Sequence, residues 1–154
     1  MSALHFDENL VMIMDDEGLD TYEVEERLAQ KLLAGGWVKE SYPAALHERE
    51  KGFPTGLYAQ GINVAIPHCD PEHVEHGSMA VGILKHPVAW RRMEDPTATC
   101  EVSLVVMLGL EEAHAHMEML QKVIALVQDQ EQMARIVACD NAADAYAMLK
   151  GAFE

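Results

Sequence analysis

The run Val102–Leu110 constrains the chain most, because it is apolar throughout except at Ser103 and Gly109. It is far shorter than the roughly 20 residues that a membrane-crossing helix needs. It reads instead as a strand buried inside a protein, so the chain must build a sheet and cover it. Other segments supply the rest. Asn9–Met14 is a short apolar run that suits a strand, Ile62–Ile66 alternates as a strand does, and Met79–Leu84 is a further apolar strand. Pro67 ends the Ile62–Ile66 strand, since proline has no N–H for a sheet ladder. Asp20–Leu33 has Tyr22, Val24, Leu28, Leu32 and Leu33 near helical spacing, with Asp20 or Thr21 as cap and Gly35-Gly36 as terminator. Glu40–Lys51 suits a second helix that tolerates Pro43 in its first turn. Gly52–Gly61 and the polar stretch Pro87–Thr99 read as loops. Ala113–Gln128, Gln130–Ala138 and Ala142–Phe153 read as three more helices, with Asn141 able to cap the last. Interleaved strands and helices predict an α/β or α+β sheet covered by helices. The length of 154 residues predicts one domain, 1–154.

The charge limits the partners. A formal net charge of −15 leaves nothing to neutralise a row of phosphates, so nucleic acid is excluded, as are anionic membrane surfaces. Such a charge suits a partner with a basic docking face, and it equally suits simple solubility. The three cysteines Cys69, Cys100 and Cys139 form no CxxC pair, and an odd number argues against a disulfide framework. A reducing cytoplasm is therefore the expected compartment. Met1–Asp7 lacks the basic and apolar regions of a secretory signal, and no insertion into a membrane is expected.

Three segments carry reactive side chains. Ala65-Ile66-Pro67-His68-Cys69-Asp70 puts a histidine just past a strand end, a rigid mount with an accessible loop beyond. A neutral imidazole whose other nitrogen is held by an acceptor is a nucleophile near pH 7. An ordinary exposed loop histidine is the competing reading. In the helix Ala113–Gln128, a buried stripe of Met117, Leu120, Ile124 and Val127 would turn His116 inward and His114 toward water. His116 then suits either an oxyanion site at the helix start or a half-buried bond to a carbonyl. Arg49 closes the second helix and could fork onto phosphate oxygens, or simply be solvated between Glu48 and Glu50. Thr55 could add a hydroxyl to the same site or only shape the turn after Pro54.

Together these residues resemble a known signature. Arg49-Glu50-Lys51, Pro54-Thr55-Gly56-Leu57, Gly61-Ile62 and Ala65-Ile66-Pro67-His68 look like the fructose/mannitol-type (type 2) IIA domains of the phosphoenolpyruvate-dependent sugar phosphotransferase system, the PTS. His116-Met117-Glu118-Met119-Leu120 resembles the second histidine segment of that family. The resemblance implies a mixed five-stranded sheet with helices on both faces. It implies that His68 is the phosphorylated nucleophile, with His116 and Arg49 stabilising the phosphoryl group. The implied donor is the phosphocarrier HPr. The implied acceptor is a cysteine of a cognate IIB component, with a IIC membrane permease downstream. No metal and no organic cofactor are expected. His114-Ala115-His116-Met117-Glu118-Met119-Leu120-Gln121-Lys122 is most similar to galactitol-specific IIA proteins. Cys69 departs from the glycine that many members carry after the histidine. His114 remains a rival to His116, because half a turn would exchange their faces.

Two other functions fit parts of the sequence. A regulatory IIA-like module would use the same histidine to report phosphorylation state. A zinc site could draw on His68, Cys69, Asp70, His73 and His76, which are ligand types within one loop.

Overall fold

A computed structural model describes residues 4–153; residues 1–3 and 154, which the reading of one domain over 1–154 also takes in, lie outside the described residues. Five strands form one mixed sheet in the order β1-β4-β5-β3-β2. They are β1 (Val11–Met14), β2 (Gly56–Leu57), β3 (Asn63–Ala65), β4 (Ser78–Arg91) and β5 (Thr99–Gly109). β1 runs parallel to β4 and β3 parallel to β5, while β4–β5 and β2–β3 are antiparallel. The helices are α1 (Thr21–Ala34), α2 (Tyr42–Gly52), α3 (Ala113–Gln128), α4 (Gln130–Val137) and α5 (Ala142–Phe153).

Successive side chains of a strand point to opposite faces, and here both faces are covered. Val105 and Met107 of β5 join Val24, Leu28, Leu32 and Leu46 in a core under α1 and α2. Leu104, Val106 and Leu108 join Val123, Met133 and Leu149 in a second core under α3, α4 and α5. That is why β5 reads as a nearly unbroken apolar run rather than an alternating one. The edge strands are short, and His5 through Leu10 packs beside β1 and β4.

Several boundaries differ from the sequence reading. β4 and β5 extend well past Leu84 and before Val102, so Pro87–Arg91 is strand and the turn is confined to 92–98, closed by Arg92 N–H donating to the Ala98 carbonyl. Pro87 is tolerated because the β4–β5 register shifts between Ile83 and Val88, where no ladder bond is required of it. Within Gly52–Gly61, Gly56–Leu57 pairs as β2. Gly56 has no substitute there, since a Cβ would lie 2.6 Å from the Arg91 carbonyl oxygen. The buried side of α3 is Met119, Val123, Leu126 and Val127, whereas Met117 and Ile124 are exposed. Leu120 is nevertheless half-buried against the same core. The expected stripe was rotated about the helix, not displaced along it.

Candidate phosphoryl-transfer site

β3 ends at Ala65, but the backbone beyond it stays in the sheet. Ile66 N–H donates to the Thr55 carbonyl at 3.2 Å, and Leu108 N–H donates to the Pro67 carbonyl at 3.0 Å. The missing N–H of Pro67 costs nothing at this position, and its carbonyl still anchors the chain to β5. His68 therefore stands on backbone pinned from both sides.

The imidazole of His68 is half-buried. Its Nδ1 lies 2.8 Å from the Ile66 carbonyl oxygen. A carbonyl only accepts, so Nδ1 carries the proton and Nε2 of the neutral ring bears the free lone pair. Burial pushes the His68 pKa down from an ordinary 6.5 to about 4, and the charges of His116 and Arg49 act in the same direction. The bond to Ile66 and the charge of Asp70 oppose that shift without reversing it. At neutral pH the ring is uncharged and nucleophilic.

His116, in the first turn of α3, faces His68 with ring centroids 4.3 Å apart and planes 37° from parallel. Burial and the Arg49 charge lower its pKa as well. His116 lies three residues before Met119 and seven before Val123, so it shares their side of the helix. His114 is exposed and pairs with Glu118 at 3.3 Å. Sequence spacing thus turned inward the histidine that faces His68, even though two of the four stripe residues it rested on, Met117 and Ile124, are exposed.

Arg49 lies in the last turn of α2. Its guanidinium pairs with Asp70 at 3.6 Å and sits 5.2 Å from the centre of the exposed Phe53 ring. Arg49 Nε and His116 Nδ1 are both buried with no hydrogen-bond partner among the described residues. Two unspent polar atoms near the His68 ring are what an oxyanion would satisfy, since buried polar groups otherwise find partners.

Thr55 does not fit the part of a hydroxyl donor to that site. It is only 2 % exposed, and its Oγ1 donates to Glu50 Oε1 at 2.8 Å. The proton is spent in the interior. Sequence reasoning missed Glu50 itself, because a glutamate in an Arg-Glu-Lys run reads as solvated. The only hint lay in its fixed distance from Pro54-Thr55-Gly56. Cys69 is buried, and burial raises its thiol to about 12, so no thiolate competes with His68.

The loop histidines do not converge. His73 bonds Ser41 through Nδ1 at 2.8 Å, and His76 lies edge-on to Trp37. Among the described residues no three His, Cys, Asp or Glu side chains are grouped so as to hold a metal ion. Nor is any helix among them long and apolar enough to cross a membrane.

Comparison with known proteins bears on the fold and the family. The galactitol-specific EIIA component of Escherichia coli (strain K12) is 29 % identical over 121 residues, covering 77 % of this chain and 79 % of that protein. The transcriptional regulator ManR of Bacillus subtilis (strain 168) is 29 % identical over 100 residues, covering 65 % of this chain but 14 % of that protein. In the complex of mannitol enzyme IIA with phosphorylated enzyme IIB from Escherichia coli, the matched chain superposes with a TM-score of 0.77 at 18 % identity, covering 97 % of this chain and 99 % of that one. That last likeness is one of fold. A family model described as "Phosphoenolpyruvate-dependent sugar phosphotransferase system, EIIA 2" matches residues 4–152. The chain therefore belongs to the EIIA type 2 family of the phosphoenolpyruvate-dependent sugar phosphotransferase system, whose members carry phosphoryl groups toward an incoming sugar.

Proposed function

We propose that Nε2 of His68 accepts a phosphoryl group from phosphorylated HPr and passes it to the cysteine thiolate of a cognate IIB component. The observation that carries this reading is the free Nε2 lone pair, created by the Nδ1–Ile66 bond and kept unprotonated by burial. In the first step Nε2 attacks phosphorus in line. The donor's N–P bond breaks as the new one forms, and its imidazole leaves with the bonding electron pair. In the second step the thiolate sulfur attacks, and His68 departs as the neutral Nδ1–H imidazole. Neither step needs an added oxidant or metal. Such transfers depend on positioning and on stabilising the equatorial oxygens. Arg49 supplies a permanent cation, and His116 supplies a ring nitrogen that bonds none of the described residues. The buried Ile66, Pro67 and Cys69 flank His68 and limit water, which slows hydrolysis of the phosphohistidine.

The identity with a galactitol-specific EIIA component supports hexitol uptake, and galactitol in particular, as the setting, with a IIC permease downstream. The match to a transcriptional regulator supports a second reading, in which the same phosphohistidine signals to another protein. Activity toward a partnering IIB protein separates the two.

The test is incubation with phosphoenolpyruvate, enzyme I and HPr, followed by intact-mass analysis and phosphohistidine mapping. One labile phosphoryl group on His68 is expected, and none in His68→Gln. Arg49→Gln and His116→Gln should each slow transfer about 100-fold, the scale of losing one oxyanion donor. An unmodified wild-type protein, or a label that persists in His68→Gln, overturns the proposal.

A further inference from the structure

Glu50 is buried although it adjoins Arg49 in a highly charged run. A carboxylate survives burial only when its oxygens are occupied. Here three donors occupy them. Oε2 accepts Thr55 N–H at 2.8 Å and Trp90 Nε1–H at 3.0 Å, and Oε1 accepts the Thr55 hydroxyl at 2.8 Å. Trp90 is fully buried on β4, so Glu50 ties the end of α2 to the middle of the fold.

The bonds continue beyond Thr55. Its carbonyl accepts Ile66 N–H at 3.2 Å, and the Ile66 carbonyl accepts His68 Nδ1–H at 2.8 Å. Three hydrogen bonds, joined through the backbone of Thr55 and Ile66, thus link a buried carboxylate to the His68 ring. A second brace stops Thr55 from shifting, because Gly56 is packed against the Arg91 carbonyl. The same loop also holds Phe53, whose N–H donates to the Arg49 carbonyl at 2.7 Å and whose ring lies beside the guanidinium.

We infer that Glu50 is a positioning residue for phosphoryl transfer, which through Thr55 and Ile66 fixes the tautomer and direction of His68. The inference rests on the reading of His68 as the nucleophile. It gives Thr55 a role different from a donor to phosphate, since its hydroxyl locks the loop and its carbonyl sets where the Ile66 peptide lies. Loss of the Glu50 acceptor frees three donors in the interior, and Ile66 then no longer presents its carbonyl squarely to Nδ1. Nε2 would take the proton in part of the molecules, and those molecules cannot attack phosphorus.

The experiment uses the whole chain in four variants, Glu50→Gln, Glu50→Ala, Thr55→Ser and Thr55→Val. Two measurements are made on each. Long-range 1H–15N spectra of the protein alone report which His68 nitrogen is protonated. Single-turnover transfer from phosphorylated HPr reports the saturating rate and the half-saturating donor concentration. In Glu50→Ala and Thr55→Val the His68 signals should shift toward mixed tautomers. The saturating rate should fall about 10- to 100-fold, the scale of a misplaced reacting group. Half-saturation should stay within about twofold, because donor docking is untouched. Glu50→Gln and Thr55→Ser, which retain an acceptor and a hydroxyl respectively, should recover most of the rate and the single tautomer. A His68 that stays wholly Nδ1-protonated with an unchanged saturating rate in Thr55→Val and in Glu50→Ala would overturn the inference and leave Glu50 a fold-stabilising group. If Glu50→Ala does not fold, Thr55→Val decides the matter by the same criteria. Failure of the wild-type protein to take phosphate on His68 would instead sink the nucleophile reading, and the tautomer spectra, which need no donor, tell the two failures apart.

Discussion

At the scale of single residues, the chemistry turns on one proton. His68 has its pKa depressed to about 4, chiefly by burial. The rate of phosphoryl acceptance should therefore stay level as pH falls from about 8 to about 5.5, and decline only as it nears 4. A transfer assay with the donor's own pH dependence measured separately checks this. A break near 6.5 would mean that the ring is solvated. The same depression links to stability. The unfolded chain binds a proton on this histidine between 6.5 and about 4 that the folded chain refuses. His68 thus costs stability as pH falls through that window. The signature residues around His68 were legible in the sequence because each has a fixed offset from the others. What Thr55 does was not legible, since a threonine after proline looks the same whether its hydroxyl meets phosphate or a buried glutamate.

Elements set where those residues can stand. Helix α1 begins with a full capping box, Asp20 Oδ1 accepting Glu23 N–H at 2.8 Å and Glu23 Oε1 accepting Asp20 N–H at 3.3 Å. Asp20→Ala should lower stability by about 1 kcal/mol, read by urea unfolding, with His68 chemistry unchanged. On α3 the face decides more than the composition. Met119 is buried and Met117 is 54 % exposed, though both are methionines two residues apart. Met119→Ala should cost about 2 kcal/mol or more. Met117→Ala should stay within about 0.5 kcal/mol in the same unfolding measurement. Helix α3 itself was legible from its length and apolar content, down to its first and last residues. Its orientation was not, because apolar residues recur on both sides of it and only contact with β3, α4 and α5 selects one.

For the whole molecule, two cores on opposite faces of one sheet carry the site between them. The α1–α2 side holds a second buried acid. Glu25 is 1 % exposed and faces both Glu50 and His47, whose other nitrogen bonds Glu26 at 2.8 Å. Burial, with the Glu50 charge adding to it, pushes Glu25 up to about 10 from an ordinary 4.5. Burial raises the Glu50 carboxyl as well, but its bonds from Thr55 and Trp90 act against that rise, so of the two acids Glu25 holds its proton the more firmly. The folded protein holds that proton where the unfolded chain has released it, so stability falls as pH rises from about 4.5 toward 10. Glu25→Gln should remove this part of the decline. Its stability relative to wild type should improve by about 2 kcal/mol or more between pH 5 and pH 8, at about 1.4 kcal/mol per pH unit. Chemical denaturation at the two pH values measures it, and an equal difference at both would refute the assignment.

The sequence by itself determined the main strands and helices, the covered sheet and the motif segments that carry His68, His116 and Arg49, because spacing along a chain fixes strand ends and motif offsets locally. Only the tertiary structure decided that β4 runs through Pro87, that Glu50 is interior and that Thr55 serves it. Those outcomes depend on which distant groups come within hydrogen-bonding reach. No local pattern around Glu50 encodes the arrival of Trp90 from β4, some forty residues away.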